Sequence, residues 1–425
     1  MQHAPCAEDR VRESAEGVRT AVRRDGKLHH TCKFFAVTDT HSQIQRHHKR
    51  TPYADNSFPV EPYRWDCDDQ GLYYYGQQLA EGTRKAARGY WQGYISDINP
   101  FVPPGWIGTC SFPQITSGGL DDSWQHGRDI YGVYHDLLAF LPSRSSATWR
   151  NKVLYRVTNN VITSQVAGML ISGTWGTTDS IPLTIQAKGV DSLEPQYSCS
   201  AGSLLYDEIR SSSNIVWKEH LDAGTDLFSA LDEISGVLVD DEDFHTSFDH
   251  YFDNLSARQC HAKPLPCKLA DGHDSTDCVD QELADAVYRM GQWEYSQVYR
   301  DAATSLAASV ALYGVWIAEL SAHLRDVATG KEDMPLYVHN IAHDGSTSRV
   351  LSILQIDVMV SQFSPAMSNS THSGANANGY CRYGLEWEAR LCSSCIRSVA
   401  AEIHITTQRT ATVVITCVSF LVASR

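Results

Sequence analysis

Two arginines flank a histidine in the run Arg46-His47-His48-Lys49-Arg50-Thr51-Pro52. Planar guanidinium groups pair with phosphoryl oxygens, and an imidazole nitrogen between them could attack phosphorus. The run therefore contains the residue types that phosphoryl transfer through a histidine needs. The alternatives without catalysis are a solvated basic loop and a nuclear-localisation-like segment. Considered alone, the run favours these alternatives, because such clusters are common on protein surfaces.

A second pair, His343-Asp344, follows a β-prone stretch much later in the chain. A carboxylic acid beside an imidazole can protonate a leaving alcohol. Such a pair alone more often forms a turn with local hydrogen bonds.

Hydrophobic spacing predicts the elements that position these residues. The predicted strands are 153–157 and 337–342, and the predicted helices are 161–171, 309–327 (ended by Gly330) and 346–354. His343-Asp344 thus lies between a strand and a helix N-terminus, where open α/β sheets bind ligands.

The composition limits the classes of function. The chain has 425 residues, with 35 Lys+Arg against 50 Asp+Glu and a net charge of −15. Such acidity disfavours a broad nucleic-acid interface. The best apolar run, 306–318, is shorter than the about 20 residues that span a membrane, so we expect no membrane span. The oligomeric state is left open.

Metal sites are poorly supported. Cys392 and Cys395, with Cys381 and Cys417, lack the second spaced pair of a zinc site. His339 and His343 are four residues apart. This spacing brings two histidines to one metal ion only on a helix, and this stretch is predicted to be a strand.

Cysteines and sequons favour an oxidising compartment. The 12 cysteines suit a few disulfides, and Cys260, Cys267 and Cys278 form a candidate bridged loop. The sequons Asn254-Leu255-Ser256 and Asn369-Ser370-Thr371 agree with secretion of a glycoprotein. The N-terminus as given shows no apolar signal-peptide region.

Together, the two motifs resemble the histidine acid phosphatases, branch two of the histidine phosphatase superfamily, whose members are phosphoglycerate mutase-like. That family opens with Arg-His-Gly-x-Arg-x-Pro, which falls here at Arg46, His47, Arg50 and Pro52, and it closes its site with His-Asp, here at 343–344. The resemblance covers roughly residues 33–360.

The resemblance implies an α/β fold: a three-layer sandwich with a mostly parallel sheet plus a helical insertion domain. The expected organisation is a loose arm at 1–32, the first part of the core at 33–199, the insertion at 200–330, the second part of the core at 331–360 and an atypical tail at 361–425.

It also implies roles for the residues. His47 would become phosphohistidine, Arg46, Arg50 and His343 would hold the phosphoryl oxygens, and Asp344 would protonate the leaving oxygen. The accessory candidates near the phosphate are His48, Arg156, Thr163 and Gln165. No metal or cofactor is implied.

The chain departs from the family pattern at four places. His48 replaces a glycine of the first motif. The family also has the pattern Arg-x-Thr-x-x-x-Arg-Thr, which begins here at Arg156, and its second arginine is replaced by Ile162. Residues 42–45 are polar for a buried parallel strand. We expect no family-like strand after Val360.

The expected function is hydrolysis of small-molecule phosphomonoesters at acidic pH, because Asp344 must be protonated. A catalytically weak phosphatase-like protein is one alternative. A sugar-phosphate or inositol-phosphate phosphatase is another, and further Lys and Arg residues around the site would favour polyphosphorylated substrates. The resemblance implies a secreted or secretory-pathway protein.

Overall fold

The structure is a computed structural model, and it describes residues 40–60, 63–68, 93–96, 98–103, 105–270 and 273–355. It also gives the backbone of six short strands elsewhere. Contacts divide the chain into two compact units, Met1–Thr38 and Asp39–Arg425. In the first unit, β1 (Arg23–Arg24) pairs antiparallel with β2 (Lys27–Leu28). All other elements belong to the second unit.

A six-stranded sheet forms the centre of the second unit. Its strands are β3 (Thr40–Arg46), β6 (Val153–Val157), β7 (Leu183–Thr184), β10 (Tyr337–Ala342), β11 (Glu402–Thr407) and β12 (Val413–Val418). Their order is β12-β11-β3-β10-β6-β7. The four strands β3, β10, β6 and β7 are parallel, whereas β11 pairs antiparallel with both β3 and β12. Two antiparallel hairpins lie outside this sheet: β4 (Leu72–Tyr75) with β5 (Arg88–Trp91), and β8 (Cys267–Ala270) with β9 (His273–Cys278).

Ten α-helices lie in the described residues. They are α1 (Ser117–Tyr131), α2 (Val161–Trp175), α3 (Ser200–Arg210), α4 (Ile215–Ala223), α5 (Thr225–Ser235), α6 (Glu242–His245), α7 (Asp249–Cys260), α8 (Gln281–Ser296), α9 (Ser305–Ala328) and α10 (Asp344–Leu354). Short π-helical turns, Gly132–Leu137 and Gln297–Asp301, extend α1 and α8, and 3₁₀ turns form at Ala54–Asn56 and Ala147–Asn151.

Helices cover both faces of the sheet. On one face, α1 and α2 pack with Tyr155 and Ile341 in a single buried cluster. On the other face, α9 and α10 pack with Ile44 and Ala342. Ile341 and Ala342 are consecutive and point to opposite faces, as alternation along a strand requires. The protein therefore has the expected three-layer α/β sandwich.

The predicted strands 153–157 and 337–342 are confirmed, as are the predicted helices. No family-like strand was expected after Val360, and the structure has a strand there, β11, which continues the sheet beyond β3. The sequence of one strand could not show this, since β11 is stabilised by pairing with the two strands beside it, β3 and β12. The side chains of the tail, including Cys381, Cys392, Cys395 and the sequon at Asn369, lie outside the described residues.

Strand β3 is polar yet wholly within the sheet, and its polar side chains bond to β10. Asn340 Nδ2 donates to the Gln43 carbonyl at 2.8 Å, and His339 Nε2 lies 2.7 Å from Gln45 Oε1. Tyr337 donates its hydroxyl to Gln43. These bonds offset the desolvation cost that buried polar groups otherwise incur. Both ring nitrogens of His339, which lies on the strand, have hydrogen-bond partners, namely Tyr337 and Gln45.

Helices α3–α8 build the middle of the chain, where an insertion at 200–330 was predicted. Their largest buried cluster includes Phe228, Phe248 and Tyr251. Helix α9, at the end of that range, instead packs against the sheet through Tyr313 and Trp316. Its length and apolar composition alone would allow it to cross a membrane.

Two disulfides lie in the described part of the chain. Cys67 pairs with Cys110, and Cys267 pairs with Cys278 across β8 and β9. The predicted bridged loop is therefore present, and its bridge does not include Cys260. The sequon asparagine Asn254 is buried in α7, where its Nδ2 donates to the Asn56 carbonyl at 2.8 Å. A glycan cannot attach there in the folded protein, so this sequon does not support glycosylation.

Candidate active site

Parallel pairing brings the two sequence motifs to one edge of the sheet. Arg46 at the end of β3 is in register with Ala342 at the end of β10, and Ile341 is in register with Val157 at the end of β6. The residues that follow these strands therefore meet at the carboxyl edge, where open α/β sheets bind ligands. Asp344 begins α10 and so lies at a helix N-terminus.

His47 lies at the centre of this edge with 5% of its surface exposed. Its Nδ1 is 2.8 Å from the carbonyl oxygen of His48. Because a carbonyl only accepts, the proton is assigned to Nδ1, and the lone pair is on Nε2. Nε2 is buried and has no hydrogen-bond partner among the described residues. Burial, followed by the charges of Arg46, His343 and Arg50, holds the pKa of His47 well below its usual range. This shift favours the neutral, nucleophilic form of the imidazole.

Two guanidinium groups supply positive charge. Arg46 Nη2 is 3.6 Å from Asp344 Oδ2. Burial opposes ionisation of Arg46, but Asp344 and Tyr295 outweigh it and raise the pKa. Arg50 is held more tightly: its Nη1 lies 3.0 Å from Asp253 Oδ1 and donates to the Thr51 carbonyl at 2.9 Å.

Asp344 is fixed by three groups. Besides the contact with Arg46, Tyr295 donates its hydroxyl to Oδ2 at 3.0 Å, and the Gly345 amide donates to Oδ1 at 2.9 Å. Burial would raise the pKa of Asp344, but Arg46, Arg50 and His343 prevail and lower it to about 2. The free site therefore favours an ionised Asp344, whereas the expected chemistry needs Asp344 protonated at the start of the cycle.

His343 faces His47, with ring centroids 5.3 Å apart. Its Nε2 lies 2.9 Å from Thr158 Oγ1 and 3.1 Å from Glu194 Oε2. Thr158 directly follows β6, which explains why it reaches the same edge.

The accessory candidates have other partners. The His48 Nδ1 contacts the Ser123 hydroxyl at 3.0 Å. Arg156 donates to Glu319, Gln186 and Ser192, each at 2.7 Å. Gln165 accepts from the Ile115 amide at 3.3 Å. Thr163 lies 3.1 Å from Thr158, whose hydroxyl contacts His343.

Ile162, where the family pattern has an arginine, is fully buried in the α1–α2 cluster. This position therefore directs its side chain into the core. Sequence reasoning missed Tyr295, Asp253 and Glu194, because each comes from a loop or helix with no motif. Only the fold brings them to the site.

Comparisons with known proteins add the following similarities. No protein-family model matches the chain. Counting factor 60 from Dictyostelium discoideum is 24% identical over 259 residues, which are 59% of this chain and 58% of that protein. The match thus spans little more than half of that relative's length.

Among solved structures, phytases are similar to this chain. The phytase of Klebsiella sp ASR1 has a TM-score of 0.48 at 12% identity, covering 88% of this chain and 80% of that one. The phytase of Citrobacter braakii has a TM-score of 0.48 at 11% identity, covering 89% and 84%. The D. castellii phytase has a TM-score of 0.42 at 11% identity, covering 90% and 72%.

Proposed function

We propose that this chain is a histidine acid phosphatase, a hydrolase that cleaves small-molecule phosphomonoesters through a phosphohistidine on His47. One observation carries the proposal: the buried Nε2 of His47 has no partner among the described residues, while the charges of Arg46 and Arg50 act on the ring and the His343 ring lies 5.3 Å away. A nucleophile with cationic donors around it is what in-line phosphoryl transfer requires.

In the first step, His47 Nε2 forms a bond to phosphorus while the bond from phosphorus to the ester oxygen breaks. The leaving alcohol takes a proton from Asp344. Since the free Asp344 is ionised, that proton must come with the substrate, as the acidic hydrogen of a phosphate monoanion, whose second pKa is about 6. Acidic pH then favours turnover because it supplies the monoanion.

In the second step, water attacks phosphorus and the bond between Nε2 and phosphorus breaks. Asp344 takes one proton of the water and passes it to the phosphate, which leaves as its monoanion, so Asp344 is ionised again. His47 returns to its neutral form with Nδ1 still bonded to the His48 carbonyl. The cycle consumes one ester and one water and releases one alcohol and one phosphate.

The competing function is a phosphatase-like protein with little turnover. Two observations favour it: Arg156 is bound to Glu319, and Ile162 supplies no charge, so the described site lacks the third arginine of the family pattern. A hydrogen bond to a charged group contributes about 1.5–3 kcal/mol. Loss of the arginine's hydrogen bond to the phosphate would therefore lower the rate of hydrolysis.

Hydrolysis of p-nitrophenyl phosphate across about pH 3 to 8 decides between them. Turnover that rises in acid and persists with EDTA supports the proposed phosphatase. A folded sample with no turnover supports the inactive alternative. For location, the two disulfides support an oxidising compartment, such as the secretory pathway.

A further inference from the structure

A carboxylate stands beside the phosphate-binding residues, on the side of the site that faces His343. The side chain of Glu194 approaches His343 Nε2 to 3.1 Å and is 24% exposed. A phosphate site gains nothing from a negative charge there, because phosphate and glutamate repel each other.

The segment before Glu194 is anchored, so its position is fixed by the fold. Asp191 accepts from the Leu193 amide at 3.0 Å. The Leu193 carbonyl accepts from the Tyr313 hydroxyl at 3.1 Å and from the Ser346 hydroxyl at 2.7 Å. Tyr313 lies on α9 and Ser346 on α10, so two helices of one layer hold this backbone and place Glu194 at the site.

A second carboxylate comes from α7. Asp249 lies one helical turn before Asp253, the partner of Arg50, and therefore on the same face of the helix. Although Asp249 keeps exposed surface, loss of water around its carboxylate and the charges of Asp253 and Asp344 raise its pKa to about 6. Arg210 acts in the opposite direction and lowers the pKa of Asp249.

The cations at the site are each matched by a carboxylate, so none is left for a second anionic group. Arg46 is paired with Asp344, and Arg50 is paired with Asp253. Glu194 is paired with His343, and the carboxylate of Asp249 is additional to these three pairs. The phosphate of a substrate can still bind, because His47 Nε2 and the guanidinium groups face it. A second anionic group on the same substrate would meet further carboxylates.

We propose that Glu194 and Asp249 select phosphomonoesters that carry one phosphate and a nearby cationic group, such as an ammonium, and reject polyphosphorylated esters. The inference rests on the proposed function, because it assumes that the phosphate binds at His47. An ammonium group beside the phosphate gains attraction from the two carboxylates, whereas a neighbouring phosphate is repelled by them. This selectivity disfavours the inositol-phosphate alternative.

Equilibrium binding by calorimetry tests the selectivity without requiring turnover. The probes are phosphocholine, its neutral isostere 3,3-dimethylbutyl phosphate, inositol hexakisphosphate and inorganic phosphate, each titrated into the full chain near neutral pH. We expect phosphocholine to bind about tenfold more tightly than the isostere, and inositol hexakisphosphate to bind more weakly than inorganic phosphate.

The substitutions Glu194→Gln and Asp249→Asn should each reduce the preference for phosphocholine and strengthen binding of inositol hexakisphosphate. Glu332→Gln is the matched control, because Glu332 is exposed and lies before β10, at the opposite edge of the sheet. Equal affinity for phosphocholine and its isostere would overturn the proposed selectivity, and so would inositol hexakisphosphate as the tightest ligand. Neither result would contradict the proposed function. If no probe binds, inorganic phosphate included, the proposed function fails and this inference fails with it.

Discussion

Arg46 and Asp344 form an ion pair, 3.6 Å apart, at the ends of two neighbouring parallel strands. The pair links the first sequence motif to the second. It also sets the protonation of the site, because Arg46 is the largest of the influences that lower the pKa of Asp344. A phosphate that binds Arg46 weakens this influence, so Asp344 becomes able to hold a proton when substrate is present.

The first prediction concerns this ion pair. The folded pKa of Asp344, about 2, is below its ordinary value of 3.8, so ionised Asp344 stabilises the folded state above that ordinary value. This stabilisation, about 2 kcal/mol, is lost as the pH falls toward the folded pKa. Asp344→Asn should therefore lower the free energy of unfolding more at about pH 6 than at about pH 3 in urea titrations. Asp243→Asn, at an exposed position of α6, is the control. A destabilisation that is the same at both pH values would contradict the ion pair.

The second prediction concerns Asp249, whose ionisation lowers the stability of the folded protein instead of raising it. Asp249 has a folded pKa of about 6, above its ordinary value of 3.8, so its ionised form opposes folding. The cost increases as the pH rises between these two values and is complete above the folded pKa. Asp249→Asn should therefore stabilise the protein more at about pH 7.5 than at about pH 4.5. Thermal unfolding at both pH values measures this difference, and equal shifts of Tm would show that Asp249 is not crowded by other carboxylates.

The third prediction addresses the missing arginine. Ile162→Arg restores the family residue in the sequence but places a cation in a fully buried position among apolar side chains. We expect it to lower the free energy of unfolding by more than about 3 kcal/mol without raising phosphatase activity. Val161→Arg is the matched control, since Val161 is 43% exposed on the same helix turn. A folded Ile162→Arg protein with faster turnover would show that the site can accept the third arginine after all.

The sequence predicts the part of the site that follows strands. Arg46, His47, His343 and Asp344 adjoin β3 and β10, and parallel pairing of those strands is enough to bring them together. The polar residues of β3 do not prevent it from forming a buried strand, because they form hydrogen bonds with β10. These bonds could not be foreseen from the sequence of β3 without knowing which strand lies beside it.

The rest of the site depends on tertiary packing. Tyr295 comes from α8 and Asp253 from α7, and nothing in their local sequence relates them to Asp344 or Arg50. Arg156 matches the family pattern by its spacing, yet in the structure it forms an ion pair with Glu319. Sequence spacing predicts which element bears a side chain, whereas the partner of that side chain depends on how the helices pack.

The most direct test of the phosphohistidine is to trap it. The protein is mixed with ³²P-labelled p-nitrophenyl phosphate, quenched with alkali after a few milliseconds and digested, because phosphohistidine survives base and is lost in acid. The account predicts label on His47 of the native chain, bound to Nε2 because Nδ1 is bonded to the His48 carbonyl, and no label on the His47→Ala variant. Full turnover by a folded His47→Ala variant, or label on another residue, would contradict the central claim.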